Sequence, residues 1–191
     1  TSKRFMTRRR GETIADLFDR RNLIALSILW HEIEELKTTG EIKDVLKLTF
    51  SASLETVSKL NPFRPPRSTK SGWTVHEYWV PATHALNNVW NSFEERFKRV
   101  KKGKQIELDF KEGDTFSDLE KGANVLIKTH SALDLSFIPS NKVDYVFTDP
   151  PYGGSIQYYE LDVFRLAWLR GEHGDPRFNI DWWKDEITIN A

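Results

Sequence analysis

Through the first hundred positions apolar residues recur at spacings of three and four. Asp19 stands as a cap before Leu23, Leu26, Trp30 and Ile33, which share one face of a helix running to about Lys37, with Gly40 just past its end. A second helix takes Ile42, Leu46, Phe50, Leu54 and Val57. A third takes Leu86, Val89, Trp90, Phe93 and Phe97, with charges on the opposite face. The aromatic residues of these stripes are expected in the core rather than in a ligand box. Between the second and third helices, Asn61-Pro-Phe-Arg-Pro-Pro-Arg-Ser-Thr-Lys-Ser-Gly72 carries three prolines and a glycine and reads as a loop.

The pattern changes after about residue 102. Ala123-Asn-Val-Leu-Ile-Lys128 and Val143-Asp-Tyr-Val-Phe-Thr148 are short runs rich in β-branched and aromatic residues, and they predict strands. Ser131–Asn141 is long enough for a crossover between them. After a turn, a helix is expected from about Gln157 to Leu169. Its apolar residues (Leu161, Val163, Phe164, Leu166, Ala167, Trp168) lie nearly all round it, which predicts burial on more than one side. Strand, crossover, strand, turn, helix is the order of a parallel α/β sheet. The expected organisation is one domain over 1–191: mainly helical over 1–102, with the basic loop 61–72, and α/β over 103–191.

Composition sets limits on the chemistry. The 191 residues are 39% hydrophobic and 13% aromatic, enough to build a core and to exclude intrinsic disorder. No stretch approaches the ~18 apolar residues of a membrane span, and the first thirty lack a signal-peptide core, so a soluble, cytoplasmic protein is expected. There is no cysteine, hence no disulfide, no thiolate zinc site and no thiolate nucleophile. The five histidines show no metal-ligand spacing, and no metal is expected.

The 28 basic and 28 acidic residues cancel, but they are segregated. Basic blocks without acids occur at 1–10, at 96–104 (Arg96, Lys98, Arg99, Lys101, Lys102, Lys104) and in the loop at Arg64, Arg67 and Lys70, beside Phe63, Trp73 and Trp79. Basic residues among aromatic ones can follow a phosphate backbone and stack bases, so Arg64, Arg67 and Lys70 are candidate nucleic-acid contacts; a plain surface loop is the competing reading.

The most informative segment is Thr148-Asp-Pro-Pro-Tyr-Gly-Gly154, at the end of the second expected strand. Ligands of open α/β sheets bind beyond the carboxyl ends of strands. Two prolines fix the backbone path, and the glycines after them allow angles that other residues resist. Asp-Pro-Pro-Tyr arises by chance in a chain of this length on the order of one time in a thousand.

Val143–Leu169, VDYVFTDPPYGGSIQYYELDVFRLAWL, resembles the catalytic motif region of S-adenosylmethionine-dependent amino methyltransferases, which act on N6 of adenine or N4 of cytosine in DNA. Asp16-Leu-Phe-Asp-Arg-Arg-Asn-Leu-Ile-Ala-Leu-Ser27 resembles an upstream turn and helix of a prokaryotic, adenine-specific subgroup. The resemblance implies a partial Rossmann-like methyltransferase sheet behind the helical half, S-adenosylmethionine as cofactor, and a flipped adenine in DNA as substrate.

In that reading the Asp149 carboxylate and Pro150 carbonyl grip the two hydrogens of the exocyclic amine. Pro151 stiffens the loop and Tyr152 stacks on the extruded base. The methyl group passes by direct displacement, without metal or thiol. Phe18 and Asn22 are cofactor contacts implied by the resemblance. Asp134 is a further cofactor candidate, or a cap for the element after it.

The chain departs from the family in having no Gly-x-Gly cofactor loop; Leu48-Thr-Phe-Ser-Ala-Ser53 is a poor imitation, because helical spacing continues through it. The expectation is therefore a portion of a longer methyltransferase. Three readings remain. They are an adenine N6 methyltransferase; the same architecture acting on cytosine N4, an RNA base or a protein glutamine; and a non-catalytic module.

Overall fold

The three expected helices of the first hundred residues form, with small shifts at their ends. The computed structural model describes residues 3–4, 13–63, 79–106, 109–150, 158–170 and 176–178. The chain divides into two units: Thr1–Gln105 with Glu160–Phe178, and Ile106–Tyr159 with Asn179–Ala191. Among the described residues no helix is long and apolar enough to cross a membrane.

In the first unit, helix α1 runs Arg20–Glu35, α2 Gly40–Val57 and α3 Val89–Lys104. Leu26 and Ile33 of α1, Phe50, Leu54 and Val57 of α2, and Val89 and Phe93 of α3 are buried together with Leu17, Phe18 and Leu60. Gly40 is the first residue of α2, not a terminator of α1; Thr39 is the N-cap there, and α1 ends where Leu36 turns into an extended conformation. Leu48–Ser53 lies within α2. Its small hydroxyls bond back to the helix: Thr49 Oγ1 donates to Val45 O, and Ser53 Oγ to Phe50 O.

The α1–α2 hairpin is also tied by charge. Lys47 pairs with Glu34 at 2.8 Å and lies over the Trp30 ring, while Lys43 Nζ donates to the Glu34 carbonyl near the end of α1.

The far end of α2 is held by asparagines. The last carbonyls of a helix have no partner within it. Here Asn22 Nδ2 of α1 donates to Val57 O at 2.9 Å, Asn87 Nδ2 to Thr56 O at 2.9 Å, and Asn61 Nδ2 to Thr56 O at 3.0 Å. Asn22 Nδ2 also reaches Asn87 O at 3.1 Å. The neighbouring chain follows: Ala85 N–H donates to Asn61 O, and His84 Nε2 lies 2.9 Å from Asp19 Oδ2.

Helix α5, Tyr158–Leu169, ends in this first unit. Phe164 is fully buried face to face with Phe18, ring centroids 5.4 Å apart; Trp168 meets Phe18 edge-on at 5.9 Å and Phe50 at 5.4 Å. Arg165 pairs with Glu55 of α2. Burial on more than one side does not extend round the helix, since Asp162 and Ala167 are exposed.

The expected α/β fold with its partial Rossmann-like sheet is corrected: the described residues are mostly helical. Among the described residues, strand pairing is confined to β1 (Lys3–Arg4) against β2 (Trp79–Val80), antiparallel, and to single bridges at Pro62–His84 and Glu112–Val125. Neither 123–128 nor 143–148 is a strand. A buried parallel strand needs partners on both edges and cover on both faces. Residues 141–150 have no such partner among the described residues; all are exposed, Tyr145 at 80% and Phe147 at 82%. Local β-propensity cannot supply the missing neighbours. Trp90 and Phe97 of α3, expected in the core, are also exposed.

Two tests follow from these placements. Asn22→Ala should destabilise the chain by about 1–3 kcal/mol, because buried carbonyls lose their donor. Asn22→Asp should cost more, since a carboxylate replaces the donor beside two carbonyls; the midpoint of urea unfolding reads both. The double variant Tyr145→Ser/Phe147→Ser should leave the melting temperature unchanged while lowering binding of an apolar dye, because these rings contribute exposed apolar surface rather than core.

Candidate functional site

The motif at 149–152 is reached from the second unit, whose order is local. Thr115 and Asp118 form a capping box on the short helix α4, Phe116–Glu120. Thr115 Oγ1 lies 2.7 Å and Thr115 N 2.9 Å from Asp118 Oδ2. These bonds hold the Asp118 carboxyl below its ordinary range, the side-chain bond contributing most. The turn after α4 requires Gly122, at φ 106°, and a Cβ on Gly113 would stand 2.7 Å from that of Asp118. Gly113 N–H donates to Val125 O, and Asn124 stitches the 109–111 segment to the same place. Further on, Lys142 pairs with Glu120 at 2.8 Å, which lowers the Glu120 carboxyl and raises the Lys142 ammonium.

Asp149 and Pro150 end the described part of this segment, and both are exposed. No regular element holds them. Pro151 and Tyr152 lie outside the described residues, as do Arg64, Arg67 and Lys70, the 1–10 block apart from 3–4, and most of the 61–72 loop.

Of the three cofactor candidates, Phe18 and Asn22 lie in the first unit and Asp134 in the second. Phe18 is 3% exposed and packed on Phe164 and Trp168. Asn22 is 1% exposed, with its amide donating to Val57 O and Asn87 O. Asp134 is exposed and accepts Ser136 N–H at 2.9 Å, the arrangement of a turn-forming Asx. The bonds from Ser136 are what hold its carboxyl below the ordinary range. Phe18 and Asn22 present almost no surface to a nucleoside. No group of three or more metal-ligating side chains occurs among the described residues.

Other features were not visible as sites in the sequence. Asn61 and Asn87 join Asn22 in closing α2, and Asp19 spends its carboxylate on His84 rather than on the first turn of α1. Helix α3 carries an exposed face on which Trp90 and Phe97 stand beside lysines. The helical spacing of those residues was the available signal, but it is the same spacing that suggests a core stripe. Comparison of the chain with protein-family models, with curated proteins and with solved structures gives no match.

The carboxylates of Asp118 and Asp134 set a pH dependence. Each has a folded value below its unfolded one, so its contribution is complete above the ordinary carboxylate range and is lost as pH falls through the depressed folded value. Protection against amide exchange at Thr115 and Ser136, measured relative to the intrinsic rate at each pH, should fall in acid within that window. The variants Asp118→Asn and Asp134→Asn should abolish the acid step at the corresponding amide, as read by NMR.

Proposed function

We propose that this chain carries the acceptor side of an S-adenosylmethionine-dependent methyltransferase acting on the exocyclic N6 amine of adenine in DNA. The observation that carries the reading is the run Asp149-Pro150-Pro151-Tyr152 within a segment similar to the amino-methyltransferase motif region. The exposure of Asp149 and Pro150 supports it, since a group that meets an extruded base must be open to solvent. The parallel sheet is no part of this reading.

An exocyclic amine is a weak nucleophile because its lone pair is delocalised into the ring. It offers two N–H donors. The Asp149 carboxylate and the Pro150 carbonyl are two acceptors on adjacent residues, and bonding both hydrogens draws the nitrogen towards a geometry in which its lone pair is free. The proline ring restricts the directions these acceptors take. Tyr152 stacks on the base after it leaves the duplex. S-adenosylmethionine supplies the methyl group when bound, and Phe18 and Asn22 are not assigned to its site because the helical core occupies them. Cytosine N4, an RNA base and a protein glutamine share the paired N–H donors and are alternative acceptors.

The burial of Phe18 and Asn22 and the absence of Gly-x-Gly favour a second reading, in which the chain is a non-catalytic module. Isothermal titration with S-adenosylmethionine separates the two readings: catalysis requires heat of binding, and a null titration assigns the chain to the second. For catalysis, incubation with labelled cofactor and DNA, followed by digestion to nucleosides, should place label in N6-methyladenine. Asp149→Ala should lower that incorporation about a hundredfold or more. Label confined to N4-methylcytosine, RNA or protein transfers the reading to that substrate, and unchanged incorporation in Asp149→Ala removes Asp149 from the mechanism.

A further inference from the structure

Helix α3 turns two faces to different tasks. Val89, Ser92 and Phe93 are buried, and Arg96 is drawn to the α2 side by a bond from its guanidinium to Thr56 Oγ1. At 100° per residue, Trp90, Phe97, Lys101 and Lys104 fall within about 60° of one another, on a strip that borders the buried one at Phe93. Trp90 is 61% exposed and Phe97 36%, and both lysines are exposed.

A large ring open to solvent usually has a partner or a supporting wall. The wall is present: Trp90 leans on the buried Phe93, ring centroids 6.0 Å apart, so its indole is held in place with one side outward. The exposed charges beside the stripe are mainly basic, with Glu94 as an acid at its edge. Lys98 pairs with Glu94 at 3.1 Å, while no carboxylate pairs with Arg99, Lys101, Lys102 or Lys104 among the described residues. In a chain of zero net charge this is a concentrated cationic surface.

We infer that this face of α3 binds a single DNA strand, with Lys101 and Lys104 on phosphates and Trp90 and Phe97 stacking on unpaired bases. The stripe from residue 90 to 104 is about 21 Å long, enough to follow several nucleotides. Rings and cations on one strip are what such a strand offers partners for, since every base has a π-face and every linkage a charge. An acidic peptide would use the cations but not the outward rings. The inference deepens the nucleic-acid reading of the proposed function and rests on it for the choice of DNA. It concerns strand binding alone and needs neither cofactor nor turnover.

The test is fluorescence anisotropy of a labelled oligothymidylate of about 15 nucleotides, without cofactor, across a series of salt concentrations. The wild-type chain should bind, with affinity falling as salt rises. Lys101→Gln/Lys104→Gln should weaken binding and make the slope of log affinity against log salt shallower by about 1.4, two phosphates at about 0.7 each. Trp90→Ala should weaken binding roughly tenfold with the slope unchanged, because stacking releases no counterions. All these side chains are exposed, and an unchanged far-UV spectrum and melting temperature check that the variants are folded. Absence of binding by the wild type, binding indifferent to both variants, or equal binding to anionic vesicles or polyglutamate overturns the assignment. Retained methyl transfer alongside indifferent variants overturns the α3 surface alone; strand binding without methyl transfer overturns the catalytic reading alone.

Discussion

The first unit depends on how the C-terminal end of α2 is closed. A helix that ends inside a protein leaves carbonyls pointing into a region water cannot reach, and each unsatisfied one costs more than an ordinary hydrogen bond contributes. Asn22, Asn61 and Asn87 answer for Thr56 and Val57, and Ser58 Oγ donates to Glu55 O. The three amides come from α1, from the chain just after α2, and from the approach to α3. Satisfying one helix end therefore fixes where the other two helices begin to pack. Leu26, Phe50 and Phe93 then meet as a consequence of polar placement as well as apolar attraction. A hydrophobic contact tolerates sliding; an amide shared between a neighbouring helix end and a neighbouring loop does not.

That closure was not legible in the sequence, whereas the helices were. Leu23, Leu26, Trp30 and Ile33, or Phe50, Leu54 and Val57, announce a helix because their spacing repeats within a few turns. Asn22, Asn61 and Asn87 carry no such mark. An asparagine beside an apolar stripe looks like the start of the solvent face, and only the approach of a second helix end converts it into a buried donor. Gly40 misled for a related reason: a glycine after a helix is a common terminator, yet two helices joined by a few residues leave it equally near the start of the next. Trp90 and Phe97 misled in the opposite direction, since their spacing places them on a helix correctly but cannot say which part of that helix meets the core.

The second unit shows the limit more sharply. Among its described residues only Gly113 is buried, and its order comes from short-range devices: the Thr115–Asp118 box, the Asn124 bridge and the Asp134 turn. Such devices are written in adjacent residues. A parallel strand is not, because its stability lies in neighbours far along the chain. Val143–Thr148 has the composition of a buried strand and the exposure of an unpaired segment. The motif after it is thus legible as chemistry before it is legible as a site. Asp149 and Pro150 can be named from their sequence, while the surfaces meant to face them cannot.

Helix α3 links the two kinds of constraint. Lys101, Lys102 and Lys104 stand in its last turn, where cations offset the negative end of the helix dipole. Their charge thus favours the helix whether or not anything binds, and a cationic end can persist in a chain without net charge. Trp90 rests on Phe93, and Phe93 belongs to the core organised around α2. The outward ring is therefore only as rigid as the packing beneath it, and that packing follows from the asparagine closure. Asn22 belongs to the closure of the core that Phe93 shares, whereas Lys101 is exposed and belongs to the surface field. Core and surface effects separate on this basis: loosening the closure acts on the packing beneath Trp90, and removing charge acts on the surface field.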